Sequence, residues 1–428
     1  MNSLVERTPA LAELLRDAAQ RVARVAAGHS LAEVSREASL GEGTRRAALL
    51  DLTHGTLRRF GRVQEIVRLL SHKPTSDASL AALLWCAVYA FESGRYGDHV
   101  VVDQAVRACG LLELWPAKGY VNGVLRRYAR ERDAIEARLG AEPESRWQHP
   151  AWWVEAVRAA HPLAWQAVLE AGNSHPPMAL RVNRRRTTPD LYGARLAQAG
   201  LEAQPAPYGA LRLGKPVPVA RLPGFAEGEV SVQDAGAQRA AQLLAPSDGQ
   251  AVLDACAAPG GKGAHLLESA DVALTALEVE PERCAMLHAG LERLRLQAKV
   301  MVADCTRLDD WWDGRPFDRI LADVPCTASG VVRRHPDLKW LRRAGDLGGF
   351  AVRQEQMLAA LWRVLAPGGK LLYATCSVFA HENEGVVLGF LGRERGARRL
   401  ELPDGGPAQL LPGPAHDGFY YALLEKQS

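Results

Sequence analysis

Cys326, in Ala-Asp-Val-Pro-Cys-Thr, and Cys376, in Ala-Thr-Cys-Ser-Val, each stand at the end of an apolar, β-rich run. A free cysteine is ordinarily buried filler, the reading that suits Cys86 and Cys109. At a strand end a thiol can instead face a ligand, and a lowered pKa then makes it a strong nucleophile. One group transfer needs such a nucleophile in particular. C5 of a pyrimidine does not attack a methyl donor by itself; a thiolate must first add to C6 and push electron density onto C5. Asp323 shares the turn with Cys326 and is placed to share a proton with ring N3 as the adduct forms. A base then removes the C5 proton and the thiolate leaves. One cysteine can begin the adduct and a second help end it, and spacing does not say which attacks.

The methyl donor must sit nearby. Residues 254–263, Asp-Ala-Cys-Ala-Ala-Pro-Gly-Gly-Lys-Gly, lie between a β-rich run and the helical Ala-His-Leu-Leu-Glu-Ser-Ala. Strand, tight turn and helix is the setting of a nucleotide-type loop, where glycines let backbone approach a ligand. A Walker loop would need Gly in place of Cys256 and Ser or Thr in place of Gly263, and the G-x-G-x-x-G fingerprint is absent too. The loop is therefore expected to hold something other than a phosphate.

Four successive candidate strands end in an acid: Asp254, then Glu278 or Glu280, then Asp304, then Asp323. Gathered in one crevice, such acids repel one another unless they serve a cationic or hydroxyl-rich ligand. S-adenosylmethionine answers that description, with a sulfonium, an ammonium, a ribose diol and no phosphate. Cys256, Ala257, Ala258, Pro259, Gly260, Gly261 and Lys262 would wrap its methionine part, with Asp254 beside them. Glu278, 24 residues past Asp254, stands about where a ribose-binding acid belongs, with Glu280 as the competing choice. Asp304 would face the adenine amino group.

The elements that must hold these residues begin at about residue 231. Apolar runs at 251–256, 273–279, 299–304, 317–323 and 370–378 alternate with helical segments. That alternation predicts a Rossmann-like α/β domain over 231–428, its mostly parallel sheet covered on both faces. The tail Gly-Phe-Tyr-Tyr-Ala-Leu-Leu-Glu-Lys reads as one more strand, the antiparallel edge of a mixed sheet. Residues 1–140 carry only helical periodicity, over 11–28, 44–70, 79–93 and 117–139, and predict an all-α bundle. Residues 141–230 differ again, with Trp147, Trp152 and Trp153 clustered and a basic α+β pattern after them. Between Met178 and Leu222 eight Arg or Lys stand against two acids. That local excess points to nucleic-acid backbone contacts, with Arg181, Arg184, Arg185 and Arg186 as candidates.

Composition excludes other classes. Across 428 residues, 47% hydrophobic and 24% charged content is ordinary for a globular protein, and the net charge of +3 decides nothing alone. No apolar run approaches the roughly 18 residues of a membrane span, and Met-Asn-Ser-Leu-Val-Glu-Arg-Thr-Pro-Ala lacks a signal-peptide core. The seven cysteines contain no C-x-x-C pair, so no metal site is expected, and scattered thiols fit a reducing, cytoplasmic setting.

Together, Asp-Ala-Cys-Ala-Ala-Pro-Gly-Gly-Lys-Gly, Ala-Asp-Val-Pro-Cys-Thr-Ala-Ser-Gly-Val-Val-Arg-Arg-His-Pro-Asp-Leu-Lys-Trp and Leu-Leu-Tyr-Ala-Thr-Cys-Ser-Val-Phe-Ala-His-Glu-Asn-Glu resemble the Sun-type RNA 5-methylcytosine methyltransferases. The similarity covers nearly the whole chain. Thr-Arg-Arg-Ala-Ala-Leu-Leu-Asp-Leu-Thr-His-Gly-Thr-Leu-Arg-Arg-Phe and Lys-Gly-Tyr-Val-Asn-Gly-Val-Leu-Arg-Arg resemble the NusB-like RNA-binding domain of the branch acting on 16S ribosomal RNA. The resemblance implies S-adenosylmethionine as cofactor, a cytosine C5 of 16S rRNA as target, Cys376 as nucleophile and Cys326 as the cysteine that resolves the adduct. It carries over 256–262, Glu278, Asp304 and Asp323 as the cofactor set. Arg333, Arg334 and His335 join the expected RNA contacts, and the enzyme is expected to be a monomer. Three departures stand out: Glu278 where the family usually has Asp, Ala-Asp-Cys at 303–305 rather than Gly-Asp, and Gly-Ala after Lys262 where Thr or Ser is frequent. None removes an essential group.

Overall fold

The structure, a computed structural model, describes residues 10–37, 43–71, 73, 75–140 and 142–427. The expected lack of a signal peptide falls largely on residues 1–9, outside that set. Among the described residues no helix is long and apolar enough to cross a membrane. The chain forms two compact units that do not follow chain order. One comprises Met1–Ser174 with Val332–Ala344, the other His175–Val331 with Gly345–Ser428. Residues 142–174 thus pack with the helical N-terminus, as does the 332–344 segment that chain order would have left with the α/β sheet.

The first unit is helical, and its core is lined by Leu15, Val22, Leu52, Leu83, Val101 and Leu125. The periodic stretch expected to run unbroken over 44–70 is two helices, Gly43–Arg58 and Phe60–Leu70, separated by Arg59 at φ −105° and ψ 21°. Gly61 explains the tight approach of Pro143–Trp147, because a Cβ there would overlap the Glu144 carbonyl. Asp98–Leu111 is a helix despite its β-branched Val-Val-Val; Val101, Val102, Ala105, Ala108 and Cys109 form the buried stripe that overrides local propensity. Lys339, 0% exposed, is held by three neutral oxygens: its Nζ donates to Arg58 O (3.0 Å), Gln148 O (2.9 Å) and Asn173 Oδ1 (2.8 Å). Burial, with Arg58 beside it, pushes its pKa well down.

The second unit holds two sheets. In the smaller, β1 (Ala179–Val182), β2 (Ala203–Pro205), β3 (Leu211–Leu213) and β4 (Val230–Val232) pair antiparallel in the order β2-β3-β1-β4. Leu180 and Val182 face a small core with Tyr192 and Leu196, from the helix Pro189–Gln198. Thr188 caps that helix by accepting from Leu191 N.

The larger sheet contains β5 (Ala251–Asp254), β6 (Ala273–Glu278), β7 (Lys299–Val302), β8 (Phe317–Asp323), β9 (Leu365–Thr375), β10 (Ala397–Leu400), β11 (Gln409–Leu410) and β12 (Phe419–Lys426). Its order is β10-β12-β9-β8-β5-β6-β7, with β11 beside β12, and β5 to β9 are parallel. Alternation along the strands sorts side chains between two apolar layers. Leu253, Ile320, Leu371 and Tyr373 meet Leu358, Leu361 and Phe390 on one face. Val252, Leu321, Leu372 and Ala374 meet Leu244, Leu266 and Leu287 on the other. Each such leucine contributes about 1.5–3 kcal/mol by leaving water. The strand at β12 is antiparallel as expected but is not an edge, since β9 and β10 flank it. The edge is the arginine-bearing β10, whose Arg398 and Arg399 pair with Glu425 and Glu384; charge at an edge discourages further pairing and hides the strand from an apolar reading. The chain runs outward from β5 to β7 and then returns to β8 on β5's other side, so the topological switch point lies between β5 and β8.

Candidate active site

The ends of β5, β6 and β7 supply the first half of the site. Asp254 closes β5 and is 1% exposed, and neither carboxylate oxygen has a hydrogen-bond partner of ordinary geometry. Burial, reinforced by Asp323, pushes its pKa up to about 7, against the opposing pull of Lys262 and the Cys256 N–H. The loop that follows is pinned to its neighbours: Ala255 N donates to Leu321 O (2.9 Å), and Ala257 N to Leu277 O (2.8 Å). Ala258–Pro259 is cis. Gly260 caps the next helix at φ +99°, where a side chain would also meet Leu287 Cδ1 at 2.6 Å. A Cβ on Gly263 would lie 2.8 Å from Asp254 Oδ2, so a Ser or Thr at that spot would require the Asp254 carboxylate to shift. Cys256 carries a thiol raised by its hydrogen bond with Cys305 and by burial, and it stays neutral.

Glu278 ends β6 and is 4% exposed, while Glu280 is exposed. Its Oε1 accepts from Glu280 N (3.1 Å) and its Oε2 pairs with Arg283 (3.2 Å), which also donates to Ala258 O (2.7 Å). Asp304, two residues past β7, accepts from Thr306 N (2.9 Å) and Thr306 Oγ1 (2.7 Å). Burial works to raise its pKa, but the Thr306 bonds hold it below the usual carboxylate range. These residues fit a ligand with a positive centre and donor groups: a buried acid whose oxygens lack a hydrogen bond of ordinary geometry, a glycine cradle and two acids held in place at neighbouring strand ends.

The second half lies beyond β8 and β9. Asp323 closes β8 and accepts from Lys262 Nζ at 2.5 Å, tying the loop after β5 to the turn after β8. Burial opposes the charge on Lys262, yet Asp323 and Cys376 hold its pKa above the ordinary lysine value. The β8–β9 register pairs Asp323 with Ala374, so the turns beyond both strands start side by side. Cys326 Sγ and Cys376 Sγ are 3.4 Å apart. Cys326 is buried and Cys376 partly exposed. The bond to Cys376 and burial push the Cys326 thiol well up, so Cys326 holds its proton. The geometry thus distinguishes two thiols that spacing left equivalent.

The expected RNA contacts divide. Arg184, Arg185 and Arg186 are exposed on the turn after β1. Arg181 is a correction: it is 2% exposed and makes a two-pronged ion pair with Glu268 (2.9 and 2.7 Å), while donating to Gln233 Oε1 and Gly261 O. Strand alternation aims Arg181 opposite to Leu180 and Val182, into the unit. Arg333, 2% exposed within the helical unit, is likewise no surface contact, whereas Arg334 is half-buried and His335 exposed. Two features have no signature in the sequence: the Lys262–Asp323 pair, and the buried Glu382. Glu382 stands inside the motif Ala-His-Glu-Asn-Glu, but nothing local reveals its partners.

Residues 241–425 match the family described as 16S rRNA methyltransferase RsmB/F, 149–220 a ferredoxin-like domain of RsmF/B-like methyltransferases, and 12–130 the NusB family. The ribosomal RNA small subunit methyltransferase B of Vibrio cholerae serotype O1 is 41% identical over 408 residues, 94% of this chain and 94% of that protein. The protein of the same name from Pseudomonas putida is 42% identical over 425 residues, 96% of this chain and 97% of the other. The crystal structure of PH0851 shares the fold, with a TM-score of 0.80 at 23% identity, covering 98% of this chain and 99% of that one.

Proposed function

Because the chain belongs to the 16S rRNA methyltransferase RsmB/F family, we propose that it methylates C5 of a cytosine in 16S rRNA through a covalent bond between Cys376 and C6. The cofactor is S-adenosylmethionine, which supplies an electrophilic methyl group on a sulfonium. Residues 256–262, Asp254, Glu278, Asp304 and Asp323 would hold it, with Glu278 rather than the exposed Glu280 on the ribose. Cys376 adds as thiolate to C6, forming the S–C bond and moving the C5–C6 π pair toward C5. Asp323, with Lys262 on its carboxylate, manages the proton at N3. After C5 is methylated, a base takes the C5 proton, the electron pair re-forms the double bond and the Cys376 sulfur departs. Cys326, holding its proton 3.4 Å from Cys376, assists that departure. This close, unequal thiol pair is the observation that carries the reading. Residues 1–140 and the exposed Arg184, Arg185 and Arg186 of the 141–230 module serve as RNA-binding surfaces, reading backbone rather than base.

The test is a trapping experiment with labelled cofactor and 16S rRNA, 30S subunits, tRNA and DNA as alternative substrates. Cys326→Ala should attack but fail to release, accumulating a denaturant-resistant protein–RNA complex on a denaturing gel. Cys376→Ala and the double variant should show none. A complex in Cys376→Ala with none in Cys326→Ala would reverse the two roles. Preference for tRNA or DNA would overturn the substrate.

A further inference from the structure

Glu382 touches none of the groups used in the proposed reaction, yet it is 0% exposed. Its Oε1 accepts from Thr327 N (2.7 Å) and Gln354 Nε2 (3.4 Å), and its Oε2 from Thr327 Oγ1 (2.5 Å) and Ser377 Oγ (2.7 Å). Thr327 directly follows Cys326, and Ser377 directly follows Cys376. One buried carboxylate therefore ties together the two turns that carry the thiols. Its partners extend the tie. Gln354 Nε2 also donates to Pro325 O (2.8 Å), on the other side of Cys326. Ser377 Oγ lies 2.9 Å from Ser329 Oγ, which accepts from Val378 N (2.8 Å). The Tyr373 hydroxyl donates to the Glu382 backbone carbonyl (2.6 Å) and lies 3.2 Å from Gln354 Oε1.

A carboxylate among neutral donors is a costly way to join two turns, because burial disfavours its charge. What its ionised form gains over an amide is that both oxygens only accept, so the Thr327, Ser377 and Gln354 donors can all be aimed at it together, even though burial raises its pKa. A sulfur pair 3.4 Å apart needs such a single arrangement, since groups of this kind must be held within about 0.5 Å. We propose that Glu382 is a positioning residue that sets the separation and the unequal exposure of Cys326 and Cys376. The inference rests on the roles given to the two thiols above.

The test compares Glu382→Gln with Tyr373→Phe, which loses a buried hydroxyl of the same cluster but none of the donors to the carboxylate. Each protein is assayed for kcat and KM with 16S rRNA, for cofactor affinity by calorimetry, for melting temperature, and for iodoacetamide labelling of the two cysteines by peptide mass spectrometry. Glu382→Gln should lower kcat by about 10- to 100-fold, the scale of a misplacement near 1 Å. The KM for RNA and the cofactor affinity should stay within about twofold, because Glu382 touches neither the cofactor loop nor the exposed arginines. The wild-type preference for labelling Cys376 over Cys326 should shrink severalfold. Tyr373→Phe should lose melting temperature while keeping the labelling preference and kcat. Wild-type kcat and labelling in Glu382→Gln, or equal kcat losses in both variants at equal melting temperature, would overturn the proposal. Should Glu382→Gln fail to fold, Ser377→Ala removes one donor to the carboxylate, together with the acceptor of Phe379 N, and is judged by the same readouts. Labelling needs no methyl transfer, so normal activity in Cys376→Ala would sink the reaction assignment while leaving the positioning role independently measurable.

Discussion

The two halves of the candidate site treat a buried carboxylate in opposite ways. Asp254, at the end of β5, is 1% exposed, has no hydrogen-bond partner of ordinary geometry and carries a pKa pushed to about 7. Glu382, beside the thiol turns, is 0% exposed and takes hydrogen bonds from Thr327, Gln354 and Ser377. An unsatisfied buried acceptor costs about 1–3 kcal/mol, which a ligand bringing donors or positive charge can offset. The first half is thus built around groups the chain does not itself supply. The second is internally complete, as the proposed reaction requires of its two thiols. Evolution of such a site can tolerate polar frustration where a ligand relieves it, but not where two sulfurs must keep their distance.

The sharpest way to break this contrast is at the thiols. Cys376→Ala should lower methyl transfer by about 10³-fold or more, the scale for loss of a nucleophile, while cofactor affinity by calorimetry stays within about twofold. Equal losses of both would merge the two halves into one.

Next in size is the support of the cofactor loop. Arg181 and Glu268 form a pair with 2% exposure on each side chain, and Arg181 also binds Gly261 O at the start of the loop helix. Arg181→Met should destabilise the protein by about 3–5 kcal/mol in urea unfolding, because it leaves Glu268 buried and unpaired. It should weaken cofactor binding as well, without altering how RNA affinity depends on salt. A flattened salt dependence would restore Arg181 as a phosphate contact.

Asp254 gives a pH test. Its folded pKa of about 7 lies above the ordinary 3.8, so the folded state binds the proton more tightly than the unfolded one. Stability from this group is therefore present below about pH 4 and lost as pH rises toward 7, with a slope of at most about 1.4 kcal/mol per pH unit. A cationic ligand prefers the ionised form, so the melting-temperature gain on adding S-adenosylmethionine should grow from pH 6 to pH 8. Asp254→Asn should remove both slopes. A pH-independent gain in the wild type would mean that Asp254 does not face the ligand's charge.

The smallest effect concerns the exposed arginines after β1. Replacing Arg184 and Arg185 by alanine should reduce the slope of log affinity against log salt by about one for each phosphate no longer neutralised, with melting temperature nearly unchanged. Titrations of 16S rRNA binding across a range of salt from roughly 50 to 200 mM would show it. An unchanged slope would move the RNA-binding surface elsewhere.

Much of this was legible along the chain. The parallel strands and the loop after β5 could be read from apolar period and glycine placement, because both are local consequences of backbone geometry. β10 escaped because an edge strand can be arginine-rich, and Asp98–Leu111 was not among the named helical runs because its Val-Val-Val weakens the local helical signal that the buried stripe restores. Arg181 misled for another reason: charge in a basic stretch says nothing about which face of β1 a residue occupies. Glu382 was hidden by distance, since Thr327 and Gln354 lie 55 and 28 residues away.

The residues themselves carry the chemistry on offer: two strand-end thiols, acids after successive strands, and a glycine loop unsuited to phosphate. Those follow from periods of two and 3.6 residues and from which side chains can turn a chain, and they need no partner segment. What no local pattern holds is the pairing. Cys326 and Cys376 lie 50 residues apart and meet at 3.4 Å because β8 and β9 pair in parallel with Asp323 opposite Ala374, and because Glu382 closes the turns beyond them. Register between distant strands is chosen by the packing of both sheet faces at once, so the spacing of the two sulfurs belongs to the folded core rather than to either motif.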